Sequence, residues 1–292
     1  MKKPNLFVIG APKCGTTTLA SWLGSNPDVY MSKNKEPNYF NTDMYAPDRY
    51  NEDEYLNLFK ESNHNRYLGE ASTRYLYSKK ACSNILSYSP ESKFIAIVRN
   101  PVDMIYSLHN HLVFLGVEPV KSFRRAWGVN ENRTLGDSIP VDCSDPNSLV
   151  YSKIGLLGEQ IGHFFSTVPE AQRLTLCFDD LVENPEAVYH RVILFLEIEG
   201  DSGVDFSATN KSMAHMYEWL NKMVRWLASK KEVIGIKKGM GLLNFINKVN
   251  RTEKSRKLLP DDLRCEIAEY FHSDVVKLER LLERDLSHWI ER

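Results

Sequence analysis

The feature that most constrains the fold is a strand, a loop and a helix at the start of the chain. An apolar run ends at Gly10, a short loop follows, and a helical pattern begins at Thr16. Gly10 and Gly15 permit a tight turn and a close approach of the backbone to a ligand. A helix that starts directly after such a loop points its first backbone N–H groups at an anion. The segment therefore predicts an anion-binding loop in an α/β protein.

The side chains of this loop suit a phosphate or sulfate ligand. Lys13 supplies a positive charge, and three consecutive threonines supply hydroxyl groups in the first helical turn. The spacing of the two glycines is that of a Walker A loop, but that motif has its lysine where this chain has Thr16. Cys14 is interpreted as a small residue that fits a tight loop. The candidate ligand-binding residues of the loop are Pro12, Lys13, Cys14, Gly15, Thr16, Thr17 and Thr18.

The composition is that of an ordinary globular protein. The chain has 292 residues, of which 26% are charged, and its net charge is −1. No apolar run reaches the roughly 18 residues that a membrane helix needs, and a first strand near Asn5 leaves no room for a signal peptide. The five cysteines are scattered, which is typical of a reduced compartment. We therefore expect a cytoplasmic protein with neither a transmembrane segment nor a nucleic-acid partner.

Positive charge is concentrated in residues 211–257. This segment has 12 Lys or Arg and 3 Asp or Glu residues, a net charge of +9. A local basic segment in a nearly neutral protein indicates an anionic partner. A bisphosphorylated nucleotide, an acidic glycan and a membrane surface all fit, as does a solvated helix face.

Strand and helix patterns alternate along the chain, which predicts a doubly wound parallel sheet flanked by helices. Residues 93–98 are predicted to form a strand, since Lys93 is followed by a continuous apolar run, as expected of a strand that is buried on both faces. They lead into Arg99, and Pro101 suits the first turn of the next helix. We find no linker and expect one domain, residues 1–292. The expected helices cover residues 16–25, 52–59, 79–88, 101–114, 149–168, 185–196, 211–229, 242–249, a segment that starts at 260, and 273–283.

Two further segments are candidates for function. Glu36 is followed by Pro37, which disfavours a helix at Glu36 and predicts a carboxylate on an extended segment. Residues 116–148 are rich in Gly, Pro, Asn and Asp, and so long an excursion is usually functional. We expect this excursion and the Met- and Trp-rich residues 211–229 to form helical insertions around an acceptor site.

Three segments resemble the sulfotransferases, in the same order along the chain. The loop around Lys13 is similar to the family's 5′-phosphosulfate loop, P-x-K-x-G-T-T. Residues 35–40 are similar to the K-E-x-x-F-F segment of the glycan sulfotransferases. Arg99, with Ser107 eight residues later, resembles the family's 3′-phosphate site. Residues 69–72 and 284–289 also resemble bacterial members, so the resemblance spans nearly the whole chain.

The resemblance implies a P-loop-like fold and sulfuryl transfer from 3′-phosphoadenosine 5′-phosphosulfate to a carbohydrate or another small acceptor. Lys13 and the loop would hold the 5′-phosphosulfate and offset charge on the leaving phosphate. Arg99 and Ser107 would bind the 3′-phosphate, and Glu36 would be the general base. No metal is implied. The heparan-type enzymes often have a lysine after the Glu of the third strand region, where this chain has Ala71, which leaves the acceptor open.

Other interpretations remain open at this point. His109 and His111 are rival bases, although residues two apart on a helix do not share a face. A P-loop kinase or NTPase would require a lysine at position 16 and an acidic residue after the buried strand, where this chain has Thr16 and Arg99. A non-catalytic nucleotide-binding relative would be expected to lack Lys13 or Glu36.

Overall fold

A five-stranded parallel sheet forms the centre of the fold in a computed structural model of the chain. The structure describes residues 2–44, 49–62, 64–141, 143, 145–200, 203–206, 213–215, 251–253 and 258–291. The strand order is β2-β3-β1-β4-β5, which confirms the predicted doubly wound class. The five strands are β1 (Leu6–Gly10), β2 (Val29–Met31), β3 (Tyr67–Ala71), β4 (Lys93–Val98) and β5 (Arg173–Cys177).

Helices connect the strands and cover the sheet. In chain order they are α1 (Thr16–Leu23), α2 (Glu52–Asn57), α3 (Ala81–Tyr88), α4 (Pro101–Leu115), α5 (Phe123–Gly128), α6 (Asn130–Thr134), α7 (Tyr151–Ile154), α8 (Leu157–Thr167), α9 (Phe178–Glu183), α10 (Pro185–Leu196) and α11 (Asp261–Leu282). Short 3₁₀ turns cover Pro146–Leu149, Glu170–Gln172 and Ser287–Trp289. Within the described residues, no helix is both long enough and apolar enough to cross a membrane.

Continuous apolar runs make the sheet a buried central layer. Every residue of β1 and β3 is buried, and in β4 only Lys93 is partly exposed. Phe7 of β1 stacks on Phe94 of β4, with ring centroids 5.8 Å apart. Strands that pair in parallel and are covered on both faces carry such runs rather than an alternating pattern.

The strand order reverses between β1 and β4, which pair directly. The chain passes from β1 to β2 and β3 on one side and then crosses to β4 on the other. In open α/β sheets, ligands bind outside the carboxyl ends of the strands at such a reversal. The loops after β1 and β4, which carry Lys13 and Arg99, meet at this point.

Two helix predictions are wrong in the same region. The helix predicted over residues 149–168 is two helices, because the helix is interrupted at Gly155. A Cβ added to Gly155 would lie 2.2 Å from the Phe271 ring, so a distant helix packs directly against this break. The helices predicted from residue 260 and over 273–283 are one continuous helix, α11.

The later basic segment is described only in small part. Met213–His215 form strand β6 and Arg251–Glu253 form strand β7, and the two pair antiparallel. The helix predicted over 211–229 is therefore wrong at residues 213–215. The rest of that helix, and the helix predicted over 242–249, lie outside the described residues.

Candidate active site

The loop after β1 has the backbone of an anion-binding loop. Gly15 is the N-cap of α1 with φ +84°, a left-handed conformation that a side chain would strain. Gly15 has no side chain that could cap the helix, so no N-cap side chain occupies the first N–H groups of α1. A Cβ on Gly10 would lie 2.5 Å from the Thr73 carbonyl oxygen, so β1 also needs glycine where it meets the chain after β3.

The cation of this loop lies beside the cation that follows β4. Nη1 of Arg99 donates a hydrogen bond to the Lys13 carbonyl oxygen at 3.2 Å. The Arg99 side chain stacks on Phe178, with its guanidinium carbon 4.4 Å from the ring centroid, and the residue is only 8% exposed. Arg99 is therefore buried and held in a fixed position at the strand-order reversal.

The start of α4 places Arg99 and Ser107 on one wall. Asn100 caps the helix, since its side chain accepts a hydrogen bond from the Val102 N–H at 2.9 Å. Pro101 occupies the first helical turn, as predicted. Ser107 lies two turns further along α4, and both Arg99 and Ser107 line the cleft described next.

A cleft of about 1080 Å³ lies at the carboxyl ends of the strands. It brings together residues that are far apart in the sequence, among them the loop after β1, the segment around Glu36, the chain after β3, and α4. The predicted site residues that line it are Pro12, Lys13, Gly15, Thr16, Thr17, Thr18, Glu36, Arg99 and Ser107.

Glu36 lies on a constrained segment at the wall of the cleft. Its φ is +54°, and its N–H donates to the Ala71 carbonyl oxygen at 3.1 Å. Thr73 donates its hydroxyl hydrogen to Oε2 of Glu36 at 3.2 Å, which orients the carboxylate. The two lysines that flank Glu36 in sequence have other partners: Lys33 pairs with Glu61, and Lys35 donates to the Thr17 hydroxyl.

Position 71 is an alanine, but Arg74, three residues later, places a positive charge at the cleft. Arg74 is partly buried, lines the cleft and forms an ion pair with Asp145. Burial lowers the pKa of Arg74 to about 10, and the nearby Glu36 charge opposes that shift. Asp145 comes from the excursion over residues 116–148, which also brings Asn147 and Ser148 to the cleft.

The excursion is folded around a buried ion pair. Arg133 of α6 donates two hydrogen bonds to the Glu118 carboxylate, at 2.6 and 2.9 Å, and neither side chain is more than 1% exposed. The Tyr151 hydroxyl also donates to Glu118, at 2.8 Å. Two short helices and a 3₁₀ turn thus occupy this segment, for which the sequence analysis expected a helical insertion.

The two rival histidines lie in different places. His109 is buried beside Phe123 and Tyr151, with Nε2 2.8 Å from the Val120 carbonyl oxygen, and does not line the cleft. His111 does line the cleft. Desolvation and then the charges of Lys13 and Lys35 lower the pKa of His111 to about 4, so its imidazole is neutral near pH 7.

Cys14 is the one predicted loop residue whose side chain does not line the cleft. It is fully buried, and its Sγ lies 3.4 Å from the Pro12 carbonyl oxygen. Burial raises the pKa of the thiol to about 12, so the group is protonated and unreactive. This placement agrees with the interpretation of Cys14 as a small residue that fits the loop.

The segment that follows α11, residues 284–289, forms hydrogen bonds with two segments next to the site. The Asn100 amide donates to the Trp289 carbonyl oxygen at 3.1 Å, and the Trp289 indole donates to Asp179 at 2.7 Å. Arg284 pairs with Asp180 through both terminal nitrogens of its guanidinium, and the Nη2–Oδ1 distance is 2.6 Å. Residues 284–289 therefore contact the chain just after β4 and just after β5.

Sequence reasoning assigned no role to three residues around this site: Glu70, Arg74 and Tyr75. Glu70 is a charged residue inside an otherwise apolar strand, which is a signal of a structural or functional role. It is 1% exposed and receives three hydroxyl hydrogen bonds, and burial raises its pKa to about 7. Arg74 and Tyr75 carry no comparable signal in the sequence.

Comparisons with known proteins show which proteins the chain is similar to. A crystal structure of a sulfotransferase from Alicyclobacillus acidocaldarius is 26% identical, covers 100% of both chains and superposes with a TM-score of 0.74. The mouse protein carbohydrate sulfotransferase 15 is 25% identical, over 67% of this chain and 44% of its own length. Human heparan sulfate glucosamine 3-O-sulfotransferase 6 is 28% identical, over 67% of this chain and 53% of its own length.

The match to these relatives is partial on their side. The chain spans less than half the length of carbohydrate sulfotransferase 15. The family model described as "Sulfotransferase domain", in contrast, matches residues 3–240 and thus most of this chain. It includes the loop around Lys13, the Glu36 segment and the Arg99 region. The resemblance indicated by these three segments is confirmed: the chain belongs to the sulfotransferase domain family.

Proposed function

We propose that the chain transfers a sulfuryl group from 3′-phosphoadenosine 5′-phosphosulfate to a hydroxyl or amine group of a carbohydrate or another small acceptor. The observation that carries this proposal is that Lys13, Glu36 and Arg99 line one cleft at the strand-order reversal. A carboxylate near two cations and an anion-binding loop suits a reaction in which one group loses a proton while negative charge develops on another.

The donor end of the cleft is assigned to the loop and to α4. Lys13, the first N–H groups of α1 and the hydroxyls of Thr16 and Thr17 hold the 5′-phosphosulfate. Arg99 and Ser107 bind the 3′-phosphate, for which a planar guanidinium in a fixed position is well suited. The hydrogen bond from Arg99 to the Lys13 carbonyl joins the two halves of this donor site.

Glu36 is assigned the role of general base. It takes the proton from the acceptor hydroxyl or amine as that oxygen or nitrogen forms a bond to sulfur. The bond between sulfur and the bridging phosphate oxygen breaks, and that oxygen keeps the electron pair. Lys13 and the loop N–H groups offset the new negative charge, and adenosine 3′,5′-bisphosphate is the product. The hydrogen bond from Thr73 keeps the Glu36 carboxylate in one orientation.

The acceptor end is assigned to Arg74 and to the excursion that carries Asp145. The heparan-type enzymes often have a lysine where this chain has Ala71. Arg74 takes the role of that lysine, since it lies in the cleft and interacts electrostatically with Glu36. Asp145, Asn147 and Ser148 add polar groups that suit an acceptor with several hydroxyls. A carbohydrate acceptor is also what the names of the two curated relatives state for those proteins.

The test is sulfuryl transfer from a donor with a radiolabelled sulfate to a panel of glycans, phenols and lipids. Once an acceptor is found, Glu36→Gln should lower single-turnover transfer by roughly 10²–10⁴-fold, the usual contribution of a positioned base. Binding of adenosine 3′,5′-bisphosphate should barely change. Glu61→Gln is the matched control, because it neutralises a carboxylate that pairs with Lys33 at the surface.

Two results would overturn parts of this proposal. A Glu36→Gln protein with near wild-type transfer would move the role of base to His111, which lines the same cleft. Tight binding of the bisphosphate with no transfer to any acceptor in the panel would favour a non-catalytic nucleotide-binding protein.

A further inference from the structure

A buried carboxylate lies directly behind the segment that carries Glu36. Glu70, on β3, is 1% exposed. Its Oε1 accepts hydrogen bonds from the hydroxyls of Tyr55 and Tyr75, both at 2.8 Å, and its Oε2 accepts one from the Ser72 hydroxyl at 2.6 Å. Three hydroxyl hydrogens therefore converge on one carboxylate in the protein interior.

This carboxylate fixes the direction of the hydrogen bonds around it. Both oxygens of the Glu70 side chain accept hydrogen bonds here, and a hydroxyl has a single hydrogen to donate. Ser72 and Tyr75 give that hydrogen to Glu70, so their oxygens are left as acceptors. The Ser72 oxygen accepts the Asn38 N–H at 3.1 Å. The Tyr75 oxygen accepts the N–H groups of Tyr39 at 2.9 Å and of Phe40 at 3.3 Å.

The segment held in this way has a backbone that needs support. Glu36 and Asn38 have φ values of +54° and +49°, the left-handed region that residues other than glycine rarely adopt. Such conformations persist where the surroundings enforce them, and they concentrate at functional sites. Here the N–H groups of three consecutive residues, 38 to 40, are bonded to hydroxyls that Glu70 orients.

We propose that Glu70 is a positioning residue, which keeps residues 36–40 and thereby the Glu36 carboxylate in place by orienting the hydroxyls of Ser72 and Tyr75. The proposal rests on the role of base proposed above for Glu36. Glu70 itself does not touch the reacting groups. It acts through two hydroxyls and three backbone N–H groups.

The chain supplies a matched pair of residues for the test. Tyr55 and Tyr75 are both buried, and both donate to Oε1 of Glu70 at 2.8 Å. Of the two, only Tyr75 also accepts hydrogen bonds from the backbone N–H groups of residues 39 and 40. Tyr55 contacts the segment through its ring, which stacks on Tyr39 at 4.2 Å, and phenylalanine keeps that ring.

The first measurement is amide hydrogen exchange at Asn38, Tyr39 and Phe40, resolved by nuclear magnetic resonance. Tyr75→Phe should speed exchange at Tyr39 and Phe40 by roughly tenfold relative to Tyr55→Phe, the effect of about one lost hydrogen bond. Glu70→Gln should speed exchange at all three amides, because its NH₂ group donates where the carboxylate only accepted. Equal exchange in Tyr75→Phe and Tyr55→Phe would overturn the proposal.

The second measurement is single-turnover transfer with the acceptor found in the panel. Tyr75→Phe should lower the rate at least tenfold more than Tyr55→Phe, with unchanged binding of adenosine 3′,5′-bisphosphate in both. If both variants lose stability equally and transfer equally, Glu70 has a purely structural role. If Glu36→Gln is fully active, Glu36 is not the base, while the exchange data still decide whether Glu70 holds the segment.

Discussion

The Arg99 guanidinium donates to the carbonyl oxygen of Lys13 at 3.2 Å, so the cation that follows β4 also shapes the loop that follows β1. The contact uses the backbone carbonyl of Lys13 and not its ammonium group. Phe178, at the start of α9, packs against the same guanidinium. The segments that follow three neighbouring strands, β1, β4 and β5, thus meet at the Arg99 side chain.

Replacing Arg99 should weaken donor binding more than it affects the fold. Arg99→Ala removes a charge-assisted contact to the 3′-phosphate, and we expect adenosine 3′,5′-bisphosphate to bind roughly 10–100-fold more weakly. Isothermal titration calorimetry measures this change. Arg124→Ala is the control, since Arg124 pairs with Asp262 at the surface. Unchanged affinity in Arg99→Ala would remove the assignment of the 3′-phosphate to this residue.

Transfer should continue in the presence of a chelator. Walker-type kinases hold Mg²⁺ with residues of the phosphate loop and an acidic residue after a buried strand, and β4 is followed by Arg99. We expect EDTA to leave turnover unchanged, with leaving-group charge offset by Lys13 and backbone N–H groups. Loss of turnover in EDTA and its recovery with Mg²⁺ would favour the kinase-like interpretation instead.

Breaking the ion pair between Glu118 and Arg133 should destabilise the protein strongly. Glu118→Gln leaves the Arg133 guanidinium buried without a counter-charge, and such changes cost about 3–5 kcal/mol in the free energy of unfolding. Urea unfolding followed by circular dichroism measures the loss. Asp262→Asn, which breaks an exposed pair with Arg124, should change stability far less. Equal effects would show that burial of the pair is unimportant.

Stability should depend on pH through Glu70. Burial raises the pKa of Glu70 to about 7, against the hydrogen bonds from Ser72, Tyr55 and Tyr75 and together with the nearby charge of Glu36. The folded pKa lies above the unfolded value of 4.5, so this contribution to stability is complete below pH 4.5 and is lost as the pH rises through about 7.

The comparison with Glu70→Gln isolates this contribution. The free energy of unfolding of the wild type, relative to that variant, should fall by up to about 3 kcal/mol between pH 4.5 and 7.5 and then stay constant. Urea unfolding at pH 5, 6, 7 and 8 measures the trend. A difference that does not change with pH would mean that Glu70 titrates as an ordinary exposed carboxylate.

The strands and the donor loop could be predicted because their signals are local. Lys93–Val98 and Pro185–Leu196 have the bounds that the sequence predicted, since an apolar run and a proline at the first helical turn act on neighbouring residues. The reversal of strand order then brings Lys13 and Arg99 together without further information. Lys13 and Arg99, which the sequence singled out separately, line the same cleft in the structure.

The features that the sequence did not predict depend on residues far apart in the chain. The break at Gly155 is matched by Phe271, more than a hundred residues later. Glu70 is recognisable as a charge in an apolar strand. Its partner Tyr55, however, comes from α2, and the N–H groups that Glu70 is proposed to orient belong to residues 38–40. Periodicity and spacing carry no information about such pairings.

The contacts of residues 284–289 have a consequence for how the protein is made. The Asn100 amide finds its carbonyl partner on Trp289, and Asp180 finds its guanidinium on Arg284. A ribosome must therefore translate past Trp289 before these contacts with the chain after β4 and β5 can form. Chains generally begin to fold from their N-terminal side during synthesis, so the loop after β1 is made long before the residues that brace the chain after β4 and β5.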